Sequence, residues 1–426
     1  MAKVLYVTHD GITDHIGQAQ IAPYCVGLAR KGHQIHIVSA EKRGREALRS
    51  RFESLFDEVG IRWTTVPYSK RPPLISTFFL MMRLFWKAKR VSFEERPDIV
   101  HCRSYLPLEV GLRIKKHFNM RYLVDFRDFW ADVGIETKRF KFVYRYFLRR
   151  EPRLLSDADH VVTLTQRAAS LLLKRYPQVG QGRPDNFTVI PCCADFELFD
   201  LSIVPNVLVQ ERRTELGIPE GVPVLLYIGS LGSDYLVPEM MALFQELRSL
   251  RPDAIFLILG NDGQERVEAE AMSCGVPRAS VRFTSVPREA MPTYLALATL
   301  SVVFIRATES KSGCSPTKLA ELLAANVPVI ANTGVGDLDD ILSYDRNSSV
   351  VVPDFEPATL QSALVQILRL PEAKRLQTRE ASRQYSLEEG IRKYDKIYRE
   401  LMRSPQRSRL PHESACSAGD AAHALR

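Results

Sequence analysis

The sequence predicts an α/β protein of two doubly wound, Rossmann-like domains facing a central cleft. Three observations predict it. Short apolar runs alternate with helical patterns from the N-terminus onward, the alternation breaks over 195–223, and it then restarts. The length of 426 residues suits two cores better than one. Hydrophobic residues at 45% and charged residues at 25% are ordinary globular proportions.

The elements follow in order. Residues 4–8 form an apolar run, and a polar loop covers 10–18. A helical stretch over 20–30 ends at Gly32, a residue suited to a helix C-cap. Strands are expected at 34–39, 98–102, 122–126, 160–164 and 188–191. Pro205, Gly217, Pro219 and Pro223 mark 195–223 as an interdomain connection. The second series places strands at 224–228, 254–259, 281–284, 300–305, 327–331 and 349–352. A last amphipathic helix runs over 385–402, with Leu387, Ile391, Tyr394, Ile397 and Leu401 on one stripe. Residues 403–426 lack periodicity and read as a disordered tail. The expected division is therefore 1–200, 201–384, the helix 385–402 and the tail 403–426.

Composition excludes some classes. The net charge of +8 is compatible with nucleic acid, an anionic membrane surface or phosphorylated substrates. No basic module with base-stacking aromatics is present, which argues against nucleic acid. The seven cysteines include no CxxC pair and are odd in number, against a disulfide framework or a zinc site. The first residues run straight into a strand and not into a leader. The most apolar stretch, 74–86, carries Arg83 and falls short of the about 20 residues of a membrane span. The expected location is the cytoplasm.

The most informative segment is Ser315-Pro316-Thr317-Lys318-Leu319-Ala320-Glu321. Ser315 is a suitable N-cap and Pro316 suits the first helical position. Free N–H groups of the first turn, Thr317 included, then make an anion site. Lys318 adds a mobile charge. Glu321 lies on the same face and suits a vicinal diol such as a ribose. Arg306 and Lys311 precede the helix, so three cations are expected to converge on its start. A capped surface helix with a Lys–Glu pair is the plainer alternative. The turn Gly229-Ser230-Leu231-Gly232 lets the backbone approach a phosphate, or is a simple strand-to-helix turn.

In the first half, the 10–18 loop matches neither GxGxxG nor GxxxxGK[ST]. Asp125, Arg127 and Asp128 end a strand, where α/β sheets place their sites. Asp125 fits a catalytic position best, Arg127 pairs with it or holds an anionic acceptor, and Asp128 is the fallback. A structural Asp–Arg pair is the alternative. His101 and His9 rank lower. Asp337-Leu338-Asp339 is a D-x-D match, but acids are expected at a helix start, so no metal is assigned.

The stretches DGITDHIGQAQIAPYCVGLARKGHQIHIVS, VIPCCADFELF, GSLG and SPTKLAELLAANVPVIA, in this order along the chain, resemble the motifs of retaining glycosyltransferases of family 4. That resemblance reaches to about Met402 and implies the GT-B fold. It implies sugar transfer from a nucleoside diphosphate sugar to a glycan or lipid-linked acceptor, with no other cofactor. It implies Glu321 on the donor ribose, Lys318 near the diphosphate, and a loop with Gly17 and Gln18 closing over diphosphate and acceptor. It also implies a His or Asp beside the reacting sugar, where Asp125 stands.

Two positions depart from the family. Gly313 stands where a glutamate is frequent, and no Arg or Lys follows the GSLG turn. Arg306 and Lys311 are the candidates to compensate. A sugar-nucleotide epimerase and a non-catalytic GT-B partner subunit remain alternatives.

Two further stretches interleave basic and aromatic residues. Lys70, Arg71 and Lys87 to Arg90 flank Phe78, Phe79, Leu80, Met81, Met82, Phe85 and Trp86, and 138–150 mixes Lys138, Arg139, Lys141, Arg145, Arg149 and Arg150 with Phe140, Phe142, Tyr144, Tyr146 and Phe147. Such helices suit an anionic membrane surface, or are packed helices with aromatics turned inward.

Overall fold

The computed structural model describes residues 1–403 apart from 70, 73, 138–139, 181–185, 343–347 and 372–376. The expected tail beyond Arg403, with Cys416, lies outside the described residues, as do Lys70, Lys138 and Arg139.

The chain builds two parallel sheets. The first contains β1 (Lys3–Thr8), β2 (Gln34–Glu41), β3 (Arg62–Pro67), β4 (Ile99–Arg103), β5 (Arg121–Phe126), β6 (His160–Thr163) and β7 (Phe187–Val189). Their spatial order is β3-β2-β1-β4-β5-β6-β7. The second contains β8 (Val224–Ile228), β9 (Ile255–Leu259), β10 (Val281–Thr284), β11 (Leu300–Val303), β12 (Val329–Asn332) and β13 (Val350–Val352), in the order β10-β9-β8-β11-β12-β13. Val4 faces Ile35 on one side and Ile99 on the other. Each sheet thus reverses direction at its own first strand, β1 or β8. The crevices beside the carboxyl ends of β1/β4 and β8/β11 are where such sheets bind ligands.

The strands form where the sequence places apolar runs, because helices cover both faces. Leu5 and Val7 pack into one core while Val4 and Tyr6 pack into another on the opposite face. The second sheet is covered the same way, with Leu226 and Ile228 on one side and Leu225 and Tyr227 on the other. The sequence reading missed β3. It is an edge strand in which only Val66 is buried, so it shows no apolar run.

Three further differences have local causes. The stretch read as one helix over 20–30 divides into His15–Gln20 and Ala22–Arg30, broken at Ile21. Gly32 takes φ 91° just past the second helix, as a C-terminal glycine should. The connection over 195–223 is not bare. It folds a helix, Asn206–Glu215, and buries Phe199 and Ile218 in the second core.

The chain passes between the domains twice, and the passages are tied together. Ala194 N donates to Tyr385 O (3.0 Å) and Leu387 N to Ala194 O (2.7 Å). The last helix, Leu387–Arg403, then crosses back to the first domain. Its Ile391, Tyr394, Ile397, Tyr398 and Leu401 are buried there beside Tyr24 and Cys25. No helix among the described residues is long and apolar enough to cross a membrane.

Candidate functional site

The helix Thr317–Ala324 follows β11 through a tight turn, Glu309–Gly313. It starts one residue later than expected. Pro316 occupies the cap position, and no side chain caps the first turn. Ser315 is not the cap because its hydroxyl accepts the backbone N–H of Cys192, 3.1 Å away in the other half of the chain.

Lys318 is not a mobile charge. It is buried, donates to the Tyr227 hydroxyl at 2.7 Å, and lies 4.0 Å from the ring centroids of both Tyr227 and Tyr235. Burial lowers its pKa to about 7, against the opposing pull of Cys314, Glu321 and Asp262. Glu321, one turn on, accepts a 2.6 Å hydrogen bond from Arg288 Nη1. Burial raises the Glu321 carboxyl, while Arg288 and then Lys318 hold it down. Arg288 escaped the sequence reading because it lies 33 positions away in a separate βα unit.

The Gly229–Gly232 turn meets the same lysine. Gly229 takes φ 104°, and a Cβ there would stand 3.3 Å from Lys318 Nζ. Asp262 braces the turn, accepting from the Ser230 hydroxyl (2.8 Å) and the Leu231 N–H (2.9 Å). Arg266 donates to the carbonyls of Leu231 (3.4 Å), Gly232 (3.3 Å) and Tyr235 (3.2 Å). The turn therefore does have a cation, supplied by the next βα unit and invisible in the local sequence.

Arg306 and Lys311 do not join this cluster. Lys311 Nζ is bound to Asp234 at 2.6 Å, and Arg306 is exposed. Both line a separate hollow of about 320 Å³ with Ser233, Asp234 and Glu136, whereas Thr317 lines another cavity. The three expected cations are split because the Glu309–Gly313 turn points Lys311 at the 233–234 segment.

That other cavity, about 260 Å³, lies at the carboxyl ends of β1, β4 and β5. His9, Asp10, Arg103, Arg127, Asp128 and Trp130 line it, with Thr317 from the second domain. Asp125 does not line it. It is buried behind, 3.3 Å from Arg127 Nη1 and 3.7 Å from His101 Nε2. Burial would raise its carboxyl, but Arg127, then His101 and Arg103, hold it well below the usual range. Its charge is spent on the cluster under the cavity, which His101 extends to the Tyr398 hydroxyl at 2.7 Å. The fallback residue, Asp128, is the one open to the cavity. Enclosure by surrounding protein raises its pKa, Asp10 adds to the rise, and Lys311 and Arg103 oppose it.

Gly17 and Gln18 are helical and not part of a loop. A Cβ on Gly17 would stand 2.0 Å from the Gly11 carbonyl, so glycine is needed for the helix to lie on the 11–13 segment. Gln18 Nε2 donates to Thr13 O at 2.9 Å, and Glu41 accepts the N–H groups of Ile12 (2.6 Å) and Thr13 (3.2 Å). These residues shape the loop from behind.

The domains touch closely. A Cβ on Gly313 would stand 3.1 Å from the Phe129 ring, so Phe129 fills the space a side chain there would take. Asp337 accepts the backbone N–H groups of Gln166 (2.6 Å) and Arg167 (3.1 Å), at the start of the first-domain helix Gln166–Arg175. Asp339 holds Thr333, Gly334 and, at 2.9 Å, Arg167. The D-x-D pair is thus an interdomain clasp. Among the described residues no group of three or more His, Cys, Asp or Glu is placed to hold a metal ion.

Sequence and structure comparisons agree with this architecture. Residues 22–198 match the model described as Glycosyltransferase Family 4, and residues 209–385 match Glycosyl transferases group 1. The chain is a GT-B glycosyltransferase. A glycosyltransferase of Rickettsia africae superposes with TM-score 0.68 at 17% identity, covering 95% of this chain and 99% of that one. Sucrose-phosphate synthase of Thermosynechococcus elongatus gives 0.71 at 18%, covering 94% and 99%. HepE of Anabaena, solved with UDP and glucose, gives 0.66 at 14%, covering 95% and 100%. At such identities the structural likeness of this GT-B glycosyltransferase to each is one of fold. No curated protein matches the sequence.

Proposed function

We propose that this GT-B chain moves a sugar, with retention, from a nucleoside diphosphate sugar to a glycan or lipid-linked acceptor. The donor lies on the second domain and the acceptor against the first. The observation that carries the reading is the pairing of Lys318 and Glu321 on one buried helix face, with Lys318 against the Gly229 turn. An ammonium caged by two rings beside a glycine turn suits a diphosphate. A buried carboxylate one turn further along suits the ribose hydroxyls, which would take over from Arg288 as partners.

In this reading Glu321 orients the nucleoside and Lys318 stabilises the charge developing on the departing diphosphate. Arg127 and Asp128 face the acceptor cavity, and Asp125 is a positioning residue that holds Arg127. Closure against Phe129 excludes water from the transferred sugar. Neutralisation by Lys318 and the uncapped helix start makes transfer metal-independent, so activity survives excess EDTA. Loss of activity, restored by Mn²⁺ or Mg²⁺, would refute that part.

The chain is taken to work in the cytoplasm, peripherally at the membrane. Phe78, Phe79, Trp86, Phe142 and Tyr146 are all exposed, while Phe85 and Phe147 of the same stretches pack inward, so each helix turns one aromatic face to solvent. Liposome sedimentation tests this: recovery in the pellet should require anionic lipid and fall with salt.

A thermal-shift screen with UDP-, GDP- and ADP-sugars tests the donor site, since a ligand of the folded state raises the melting temperature. UDP-sugars come first, because HepE was solved with UDP-glucose. Phe129 standing against Gly313 favours one second reading, a GT-B partner subunit that binds donor without turnover. Donor binding with no transfer to any acceptor would select it.

A further inference from the structure

We propose that a groove on the first domain, between the helices Ile75–Glu95 and Lys141–Ser156, holds the hydrocarbon chain of a phosphate-bearing lipid. The proposal rests on the transferase reading in one respect, that the lipid so held presents its head to the acceptor cavity.

The groove measures about 240 Å³. Phe78, Met81, Met82 and Phe85 form one wall, Tyr146 and Phe147 the other, and Val110 the floor. Phe78 is 62% exposed and Tyr146 52%, so two large rings stand open to water along one apolar channel. The acidic residue of the lining, Glu109, is neutralised by Arg150 through bonds of 2.7 and 3.1 Å.

The rim is cationic. Arg83, Lys87, Arg113, Lys141, Arg145 and Arg149 are exposed and form no ion pair among the described residues. Residues 75–90 and 141–150 contain no Asp or Glu. Chemistry chooses among possible occupants. A peptide would bring N–H and C=O groups, and burying these without partners is costly. Besides Glu109, already paired, the lining offers polar groups only at Arg113 and the Tyr146 hydroxyl, too few for a peptide backbone. A second copy would set one cationic rim against another. A hydrocarbon chain needs no hydrogen bonds, and its phosphate complements the rim.

Position links the groove to the reaction site. The Phe147 ring lies 5.5 Å, centroid to centroid, from Trp130, which lines the acceptor cavity. The helix Tyr105–Phe118 begins at that cavity with Tyr105 and Leu106 and reaches the groove floor one turn later at Val110. One aromatic pair therefore separates the place for a head from the place for a chain.

The test titrates the full chain with hexyl to dodecyl phosphate, kept below micelle formation, and with alkanols of the same lengths. Affinity should rise about three- to fourfold per added methylene until the groove is full. The alkanols should bind at least about tenfold more weakly, as a lost charge-assisted contact requires. Phe78→Glu and Tyr146→Glu, both at exposed positions, should abolish the chain-length dependence. The paired change Arg113→Gln and Arg145→Gln should remove the preference for phosphate. Flat affinity along the series, or variants that bind like the parent, would overturn the proposal. So would a dimer in sedimentation that Phe78→Glu dissolves, which assigns the groove to a second copy. Neutral vesicles doped with a polyprenyl phosphate should recruit the chain, and Phe78→Glu should abolish that recruitment; recruitment by phosphatidylglycerol vesicles alone would assign the patch to bulk membrane lipid and overturn the groove. Nucleotide-sugar binding is read in the same variants. Its failure would sink the transferase reading and leave the groove result standing.

Discussion

Changing Asp337 to Ala should loosen the two domains from each other while leaving each folded. The Asp337 carboxylate accepts two backbone N–H groups, from Gln166 at 2.6 Å and Arg167 at 3.1 Å. A side-chain cap is worth about 1 kcal/mol, and a hydrogen bond to a charged group about 1.5–3 kcal/mol. The helix Gln166–Arg175 keeps its own cap, because Thr165 Oγ1 accepts from Ala168 N at 3.0 Å. The loss therefore falls on the contact between domains. Thr165 to Ser312 O (2.6 Å) and Ser315 to Cys192 N (3.1 Å) remain as ties, so closure is weakened and not abolished. A cost of about 1.5–3 kcal/mol is roughly a 10- to 150-fold shift toward the open form. Small-angle scattering of the free protein should show a larger radius of gyration, and donor affinity should fall with it. Asp337→Asn, which keeps an acceptor but loses the charge, should lie between. A lowered melting temperature with superimposable scattering curves would refute the reasoning and reduce Asp337 to a helix cap.

Glu321→Ala should weaken donor binding about 10- to 150-fold, the equivalent of one charged hydrogen bond of about 1.5–3 kcal/mol, and unchanged nucleotide affinity in calorimetry would contradict the ribose role. Burial holds Lys318 at about pKa 7 in the fold, against 10.5 for an ordinary lysine. Between these values the unfolded chain binds more protons, so this residue makes stability rise as pH rises from about 7 to about 10.5, and Lys318→Met should flatten melting temperature against pH across that window. Parallel profiles for parent and variant would count against the buried, shifted lysine. Gly313→Glu should not restore the side chain frequent in the family, since a Cβ alone would stand 3.1 Å from the Phe129 ring. It should open the cleft in scattering, and a second change, Phe129→Ala, should close it again; tighter donor binding by Gly313→Glu alone would show that Phe129 yields easily.

The fold was legible in the sequence because it rests on local periodicity. Parallel strands buried on both faces must be apolar throughout, so the runs at β1, β4, β5 and β8 declare themselves, whereas the half-exposed edge strand β3 does not. The Thr317–Ala324 helix was legible for a related reason, since Lys318 and Glu321 share a face by spacing alone. What spacing could not supply was any partner from another element. Arg288 reaches Glu321 across 33 residues, and Arg266 reaches the Leu231 carbonyl across 35. Tyr227 reaches Lys318 across 91 and Asp337 reaches Gln166 across 171. Each of these changes the chemistry read from the sequence. A mobile lysine becomes a caged one, acids read as a helix start become a clasp between domains, and Asp125 gives up the cavity to Asp128. Local pattern specifies which residues are apolar, which turn, and which charges stand at strand ends. The tertiary structure decided which of those charges neutralise one another, because in a buried setting a carboxylate or a cation must find a partner, and the fold alone brings partners from distant elements within reach.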